Sequence, residues 1–407
     1  MNVLAHGVGS RSDLPIPEFY AYAGAFAALV VSFLALGLLW ADSRFRGAEA
    51  GVPIRVSPPA RPLRVVSLLL LVYTLGWLVA GPARTEANAG PYLVYVVFWV
   101  GLVPASLLFG PVWRLLNPFR LLPDRARRPL PARLGHWPAA AGLLAFTWVE
   151  LVSPEPAAPA TLLAFLALHG AVQLTGTLVY GHAWLERGDP FEVYSTLVGH
   201  LSPVGRRSDG ALVLRSPFNG LDAIVPAPGL VATVCVLLGS TGYDGFSSAP
   251  FWVDALQSGP LGRTVLGTAG LLAAIVAVAV LYAACIGAAG LIGGARGMSP
   301  RFAHSLVPIA VGYLVAHYFS LLVIEGQRAF LLVFGLDGEV DLEIVGPGVI
   351  ATVQVLAVIG GHVVGVVAAH DRSVRLLPPA RAVAGQIPLF VLMVCYTLGG
   401  LTLLFAA

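Results

Sequence analysis

A bundle of about ten membrane-crossing helices is the fold this sequence predicts, and three observations predict it. Of 407 residues, 57% are hydrophobic and only 11% charged, whereas soluble chains carry about a quarter charged residues. Apolar runs recur along the whole chain, most of them long enough to cross roughly 30 Å of hydrocarbon. The basic residues, all of them arginine, gather in every second connection between those runs, as retention of positive charge on the cytoplasmic side requires. The expectation is an all-α, multi-pass protein of the inner (plasma) membrane, one transmembrane domain over 1–407.

Taken in order, the predicted spans are 19–40, 65–80, 91–110, 138–152, 158–180, 227–242, 264–293, 302–325, 346–369 and 385–405. The connections after the first, third, fifth, seventh and ninth hold 5, 6, 4, 2 and 3 arginines, which leaves only Arg11, Arg84, Arg263 and Arg328 for the opposite side. That alternation predicts both termini outside. The fourth span is short, so an eight-helix variant with spans four and five as a re-entrant pair is the alternative. The first span reads as an anchor and not a cleaved leader, because no basic segment precedes it and "ADSRFRG" follows as a stop. Cys235, Cys285 and Cys395 all fall in apolar spans and read as small buried hydrophobes. No internal repeat is evident, although ten spans are compatible with an inverted five-plus-five arrangement.

Two inner connections carry structure of their own. In the 183–225 connection, "GDPFEVYSTLVGH" combines a capping Asp189, Pro190 at the first helical position and Glu192 three residues after the cap. Phe191, Tyr194, Leu197, Val198 and Leu201 share one helical face, which predicts a helix over 190–201 lying along the cytoplasmic interface. "PVWRLLNPFRLLPDRARR" mixes Trp113 and Phe119 with arginines in another interfacial pattern. On the outer side "LDGEVDLE" lacks the glycine and terminal glutamate of a calcium loop and reads as a solvated acidic segment.

Ionisable groups inside a bilayer are costly and mark function. They are few here: His169 in span five, His317 in span eight and His362 in span nine, with His182, His304 and His370 near the inner ends of the same three spans. Glu150 and Glu325 sit near outer ends. At about 1.5 Å per residue, His317 lies roughly 22 Å from its inner end, His169 roughly 18 Å and His362 roughly 12 Å. A shared metal needs nitrogens at one level, so His169 and His317 are the core candidate ligands, with Gln173 one turn away. His362 joins them if a helix tilts, and His304, His370 and Asp371 form an inner group. A divalent metal, zinc or copper, is the cofactor such donors would hold. Each histidine also has a plainer role as an interhelical hydrogen-bonder, and Pro308 four residues after His304 predicts a kink there. His6, His136 and His200 lie in connections. Gly361 and Gly365 around His362, and Gly290 and Gly294, have the four-residue spacing that lets helix backbones approach.

Four stretches, "LAHGVGSRSDLPIP", "LLGSTGYDGFSSAPFW", "HSLVPIAVGYLVAHYFSLLVIEGQ" and "GHVVGVVAAHDR", together resemble actinobacterial membrane proteins labelled fenitrothion hydrolase, over essentially the whole chain. The resemblance implies hydrolysis of an organophosphate triester or a similar lipophilic ester, with a metal whose bound water would attack the phosphoryl group. Glu325 or Asp244 would then act as base or third ligand. The residues alone are equally compatible with a proton- or cation-coupled transporter or proton relay, histidines at graded depth passing charge outward. They are also compatible with a structural subunit of a membrane complex. The expected partners are the bilayer, a lipophilic small molecule and an unidentified membrane-complex partner, with no nucleic acid.

Overall fold

The computed structural model describes residues 18–406 apart from 57 and 260; His6 and the "LAHGVG" stretch lie outside the described residues. Helices occupy all ten predicted positions. They are α1 (Glu18–Leu39), α2 (Ala60–Ala80), α3 (Ala89–Phe109), α5 (Trp137–Leu151), α6 (Pro159–Tyr180), α9 (Leu230–Ser247), α10 (Arg263–Gly293), α11 (Val307–Phe334), α12 (Pro347–Leu376) and α13 (Ile387–Ala406). Among the described residues nine helical segments are long and apolar enough to cross a membrane. The tenth position, α5, has 15 residues, about 22 Å of helix.

Burial sorts these helices into centre and periphery. In α9 and in the segment containing α11, 67% of the apolar window is buried inside the protein, against 17%, 11% and 17% in α1, α2 and α10. The outer helices show leucines to their surroundings, such as Leu38 and Leu291, which suits a solvent of lipid tails. The two central helices are therefore where ionisable side chains are shielded from lipid.

The closest helix contact is made by glycine. A Cβ on Gly361 would run into the Pro308 carbonyl and the Gly312 backbone, and one on Gly365 into the Ser305 carbonyl. This is the close approach that the spacing predicts. Gly290 and Gly294 do something else: Gly294 ends α10 in a left-handed conformation at φ 73°, and the space beside Gly290 is taken by the following turn at Ala295. Pro308 also departs from expectation. It lies in the first turn of α11, where its missing N–H costs nothing, so the helix starts there and is not kinked.

The largest departure concerns residues 182–199. The helix at 190–201 forms, as α8 (Pro190–Gly199), preceded by α7 (His182–Gly188). Yet nine of the ten residues of α8 are buried, Glu192 and Ser195 among them, so it does not lie on a surface with one face covered. Instead α7 doubles back along α6, with Trp184 Nε1 donating to Gln173 Oε1 at 2.8 Å. The tip at Asp189–Pro190 reaches the middle of α5 at Gly142, and α8 then returns beside α3 to Gly110 and Pro111. The segment is a re-entrant hairpin. A shorter one precedes it, α4 (Val112–Leu116) leading to Asn117 and a turn of helix at Pro118–Leu121. A small antiparallel sheet joins the connections beyond, with β1 (Val52–Pro53) and β2 (Val204–Arg206) flanking β3 (Leu212–Leu214).

Candidate functional site: a carboxylate, tyrosine and histidine chain

Three helices, α5, α9 and α11, bring four ionisable side chains into one chain of contacts. His317 Nε2 lies 2.8 Å from Asp244 Oδ2. The neighbouring Tyr318 hydroxyl donates to the same oxygen at 2.9 Å, and the Tyr318 oxygen is 3.4 Å from Glu150 Oε1. Asp244, Tyr318 and Glu150 are all buried, and the His317 side chain is 13% exposed, so it faces the interior and not lipid. Tyr313, one turn earlier, stacks its ring on His317 at 6.1 Å and 8°. Its hydroxyl is buried without a partner against Gly245, where a Cβ would stand 2.6 Å away.

The proton count of this chain follows from its geometry. A tyrosine hydroxyl has one proton to give, and Tyr318 stands between two carboxylates. If it donates to Asp244, its oxygen can only accept from Glu150, which must then hold a proton itself. That assignment agrees with Glu150 having no cation beside it and its Oε2 lacking any partner, since a buried unpaired carboxylate is expensive. Asp244, by contrast, receives two hydrogen bonds on one oxygen, as a carboxylate paired with an imidazolium does.

The other candidate residues do not join this chain. His169 is packed among aromatic rings, 5.1 Å from Phe191, 6.0 Å from Phe165 and 6.4 Å from Phe119, whereas the rings around His317 are Tyr313 and Tyr318. His362 Nδ1 bonds the Val358 carbonyl of its own helix at 2.8 Å. His304 Nε2 lies 3.3 Å from the Ala368 carbonyl. His370 spans Gln386 Oε1 and the Trp40 carbonyl, each at 2.9 Å, and Asp371 binds Ser43 and the Arg44 amide, so this pair ties α12 to the connection after α1. Glu325 pairs with Arg328 at 3.0 Å. Among the described residues no three His, Cys, Asp or Glu side chains gather closely enough to hold a metal ion; the donor set expected for zinc or copper is dispersed over separate hydrogen bonds.

A second buried polar group was not legible as such. Asn117 Nδ2 donates to Asp189 Oδ2 at 2.8 Å and to Glu192 Oε2 at 2.9 Å, and Arg120 grips Glu192 with two nitrogens. The Ser106 and Ser195 hydroxyls meet at 2.8 Å. Asp189 caps α8 as expected, accepting from the Phe191 amide, but Glu192 turns to Arg120 and not to the cap. These contacts join the tips of the two re-entrant hairpins, and the tips share a sequence. Gly110-Pro-Val-Trp113 leads to Asn117-Pro-Phe-Arg120, and Gly181-His-Ala-Trp184 leads to Asp189-Pro-Phe-Glu192. The glycines turn the chain with nearly equal dihedrals, φ 81°, ψ −158° and φ 66°, ψ −159°, a region closed to other residues. The local motif thus recurs, with opposite charges after the phenylalanine that pair with each other.

Comparison with protein-family models, with curated proteins and with solved structures finds no match. The site's own chemistry therefore carries the functional argument.

Proposed function

We propose that this chain moves protons, as the relay of a proton-coupled membrane transporter with both termini outside. The observation that carries the reading is the unbroken contact from Glu150 on α5 through Tyr318 and Asp244 to His317 on the two most buried helices, α9 and α11. Each hop along it conserves charge. Glu150 gives its proton to the Tyr318 oxygen as Tyr318 gives its own to Asp244, and Asp244 exchanges with His317, whose unperturbed pKa suits proton exchange near neutrality. Intramembrane chains of Asp, Glu and His serve proton relays in general.

The test is proton flux into proteoliposomes that enclose a pH-sensitive dye, driven by an imposed potential. Wild-type protein is expected to carry flux that Asp244→Asn and Tyr318→Phe abolish. Flux absent from the wild type, or untouched by Asp244→Asn, overturns the reading. A second reading, hydrolysis of a lipophilic triester, is favoured by the same His317–Asp244 contact, because such a pair can serve as general base for water. Turnover of a triester by detergent-solubilised protein, lost in His317→Ala, would select it over transport.

A further inference from the structure

We infer that the α7–α8 hairpin is a gate that closes one end of the relay, in the form described here, with an apolar layer. The inference rests on the relay reading above and adds where the path is interrupted. On the side of the relay nearest the start of α11, α8 packs against α9 and α11. There Tyr194, Leu197 and Val198 of α8 face Leu237 of α9 and Val311 and Leu314 of α11 around a cavity of about 10 Å³. That volume is at the threshold for a single water, and a wall with no polar partner keeps it dry. Protons do not cross a dry apolar layer, so conduction past it requires α8 to move.

The hairpin is built to be held by its polar contacts and not by its connections. It enters and leaves the bundle at the same end, turning at Gly181 and returning to Gly110–Pro111. What fixes α8 is Asn117 with Asp189, Arg120 with Glu192, and Ser106 with Ser195. All three pairs lie between the hairpin and the first re-entrant segment or α3, and none involves α9 or α11. The face toward the relay is therefore apolar and imperfectly filled, while the opposite face carries directed bonds. Separation along the apolar face breaks no hydrogen bond. Tyr194, on the cavity wall, stacks on Trp99 at 4.4 Å, within a stretch of α3 where Gly101 N bonds Val96 O, five residues back. Such widened turns interrupt helices at functional places.

The test locks the hairpin reversibly. Val198→Cys with Val311→Cys, in protein whose Cys235, Cys285 and Cys395 are replaced by alanine, places two thiols on walls of the same small cavity, so that a disulfide between them ties α8 to α11 across the apolar face. Proton flux into proteoliposomes is expected to fall by about tenfold on oxidation and to return on reduction. Equal flux in the two redox states overturns the gate while leaving the relay standing; no flux in the wild type removes both. A second variant needs no cross-link: Val198→Ser with Leu197→Ser wets the layer and is expected to raise passive proton leak severalfold, and leak unchanged in that variant also overturns the gate.

Discussion

Removing Glu192 should cost this protein more stability than almost any other single polar substitution, and removing Arg120 should cost more still. Both side chains are nearly inaccessible, at 1% and 6% exposed. Truncating one partner of a buried ion pair typically costs about 3–5 kcal/mol, because the survivor is left charged in a medium that cannot solvate it. The two survivors here are not equally placed. In Glu192→Ala, Arg120 still has Glu186 at 3.5 Å, itself 41% exposed, so the loss should lie near the lower bound. In Arg120→Ala, Glu192 keeps one side-chain hydrogen bond, from the Asn117 amide at 2.9 Å, with Arg64 acting on it only through space, so the loss should approach the upper bound. Neutral contacts give the scale for comparison: interhelical hydrogen bonds in membranes average about 0.6 kcal/mol, and Ser195→Ala should cost no more than about that. The assay is unfolding of purified protein in mild detergent, followed by tryptophan fluorescence. Replacing both partners, Arg120→Met with Glu192→Leu, should restore most of the loss, since apolar replacement of a buried pair is often neutral or better. Single variants within about 1 kcal/mol of wild type, or a double variant as weak as the singles, would show that the pair is solvated and that the hairpin tips are not buried as described.

Further expectations follow from other parts of the structure. Gly361→Ala should force α11 and α12 apart, because the new Cβ meets the Pro308 carbonyl and the Gly312 backbone; overpacking of this kind costs about 1–3 kcal/mol, measurable in the same unfolding assay, and Gly360→Ala, with open space beside it, is the control. The half-buried His200, in the connection after α8, bonds the Gly220 carbonyl at 2.7 Å. Burial, with Arg215 adding to it, pushes its pKa down to about 4. The unfolded chain therefore binds a proton below about pH 6.5 that the folded protein refuses until about pH 4, so stability is full above that window and declines as pH falls through it. His200→Gln should flatten the difference in melting temperature between pH 7 and pH 5, and an unchanged slope would remove His200 from the account. Glu150→Gln should preserve folding, since the protonated acid and the amide are nearly isosteric, while infrared difference spectra on a pH step lose a protonated-carboxyl band; persistence of that band assigns the proton elsewhere.

What the sequence made legible and what it hid divide along a physical line. The spans were readable because lipid imposes one length and one composition on every helix, and the boundaries of α5, α6 and α10 agree with the apolar runs to within a residue or two. Asp189 and Pro190 declared a helix start for a similarly local reason. The place of that helix was not readable, because an amphipathic stripe says only that one face is covered. Its other face is covered too, and the groups that make this tolerable, Arg120 and Asn117, sit 72 residues earlier in the sequence. A signal was present in the paired Asn-Pro-Phe-Arg and Asp-Pro-Phe-Glu stretches, beginning four and five residues after the tryptophan of a Gly-x-x-Trp. Charge reversal between two copies of one motif is what two segments need if they are to meet in a poorly solvated interior.

The same distinction explains the histidines. Rarity in the membrane marked all of them, but rarity cannot distinguish a ring that completes a carbonyl's hydrogen bonding from one that exchanges protons. His362 bonds a carbonyl four residues back on its own helix, a neutral acceptor that one N–H of an uncharged ring satisfies, and His370 lies between the Trp40 carbonyl and the Gln386 side-chain oxygen, which it ties together. Of the six, His182 lies 3.7 Å from the exposed Asp124, whereas His317 faces the buried Asp244, and that carboxylate shares its oxygen with a tyrosine that leads to a second acid. Depth along a helix was the wrong coordinate for finding this. The useful one is angular: Asp244 in the last turns of α9 and Glu150 in the last turn of α5 lie on buried faces, although a carboxyl near the outer end of a span, as Glu150 is, reads as an ordinary solvated group. Because α5 is short and its last turn is enclosed by α9 and α11, Glu150 is a carboxyl at the end of a helix yet inside the protein. A carboxyl so placed has to hold a proton or find one, and Tyr318 is the group through which it can do either.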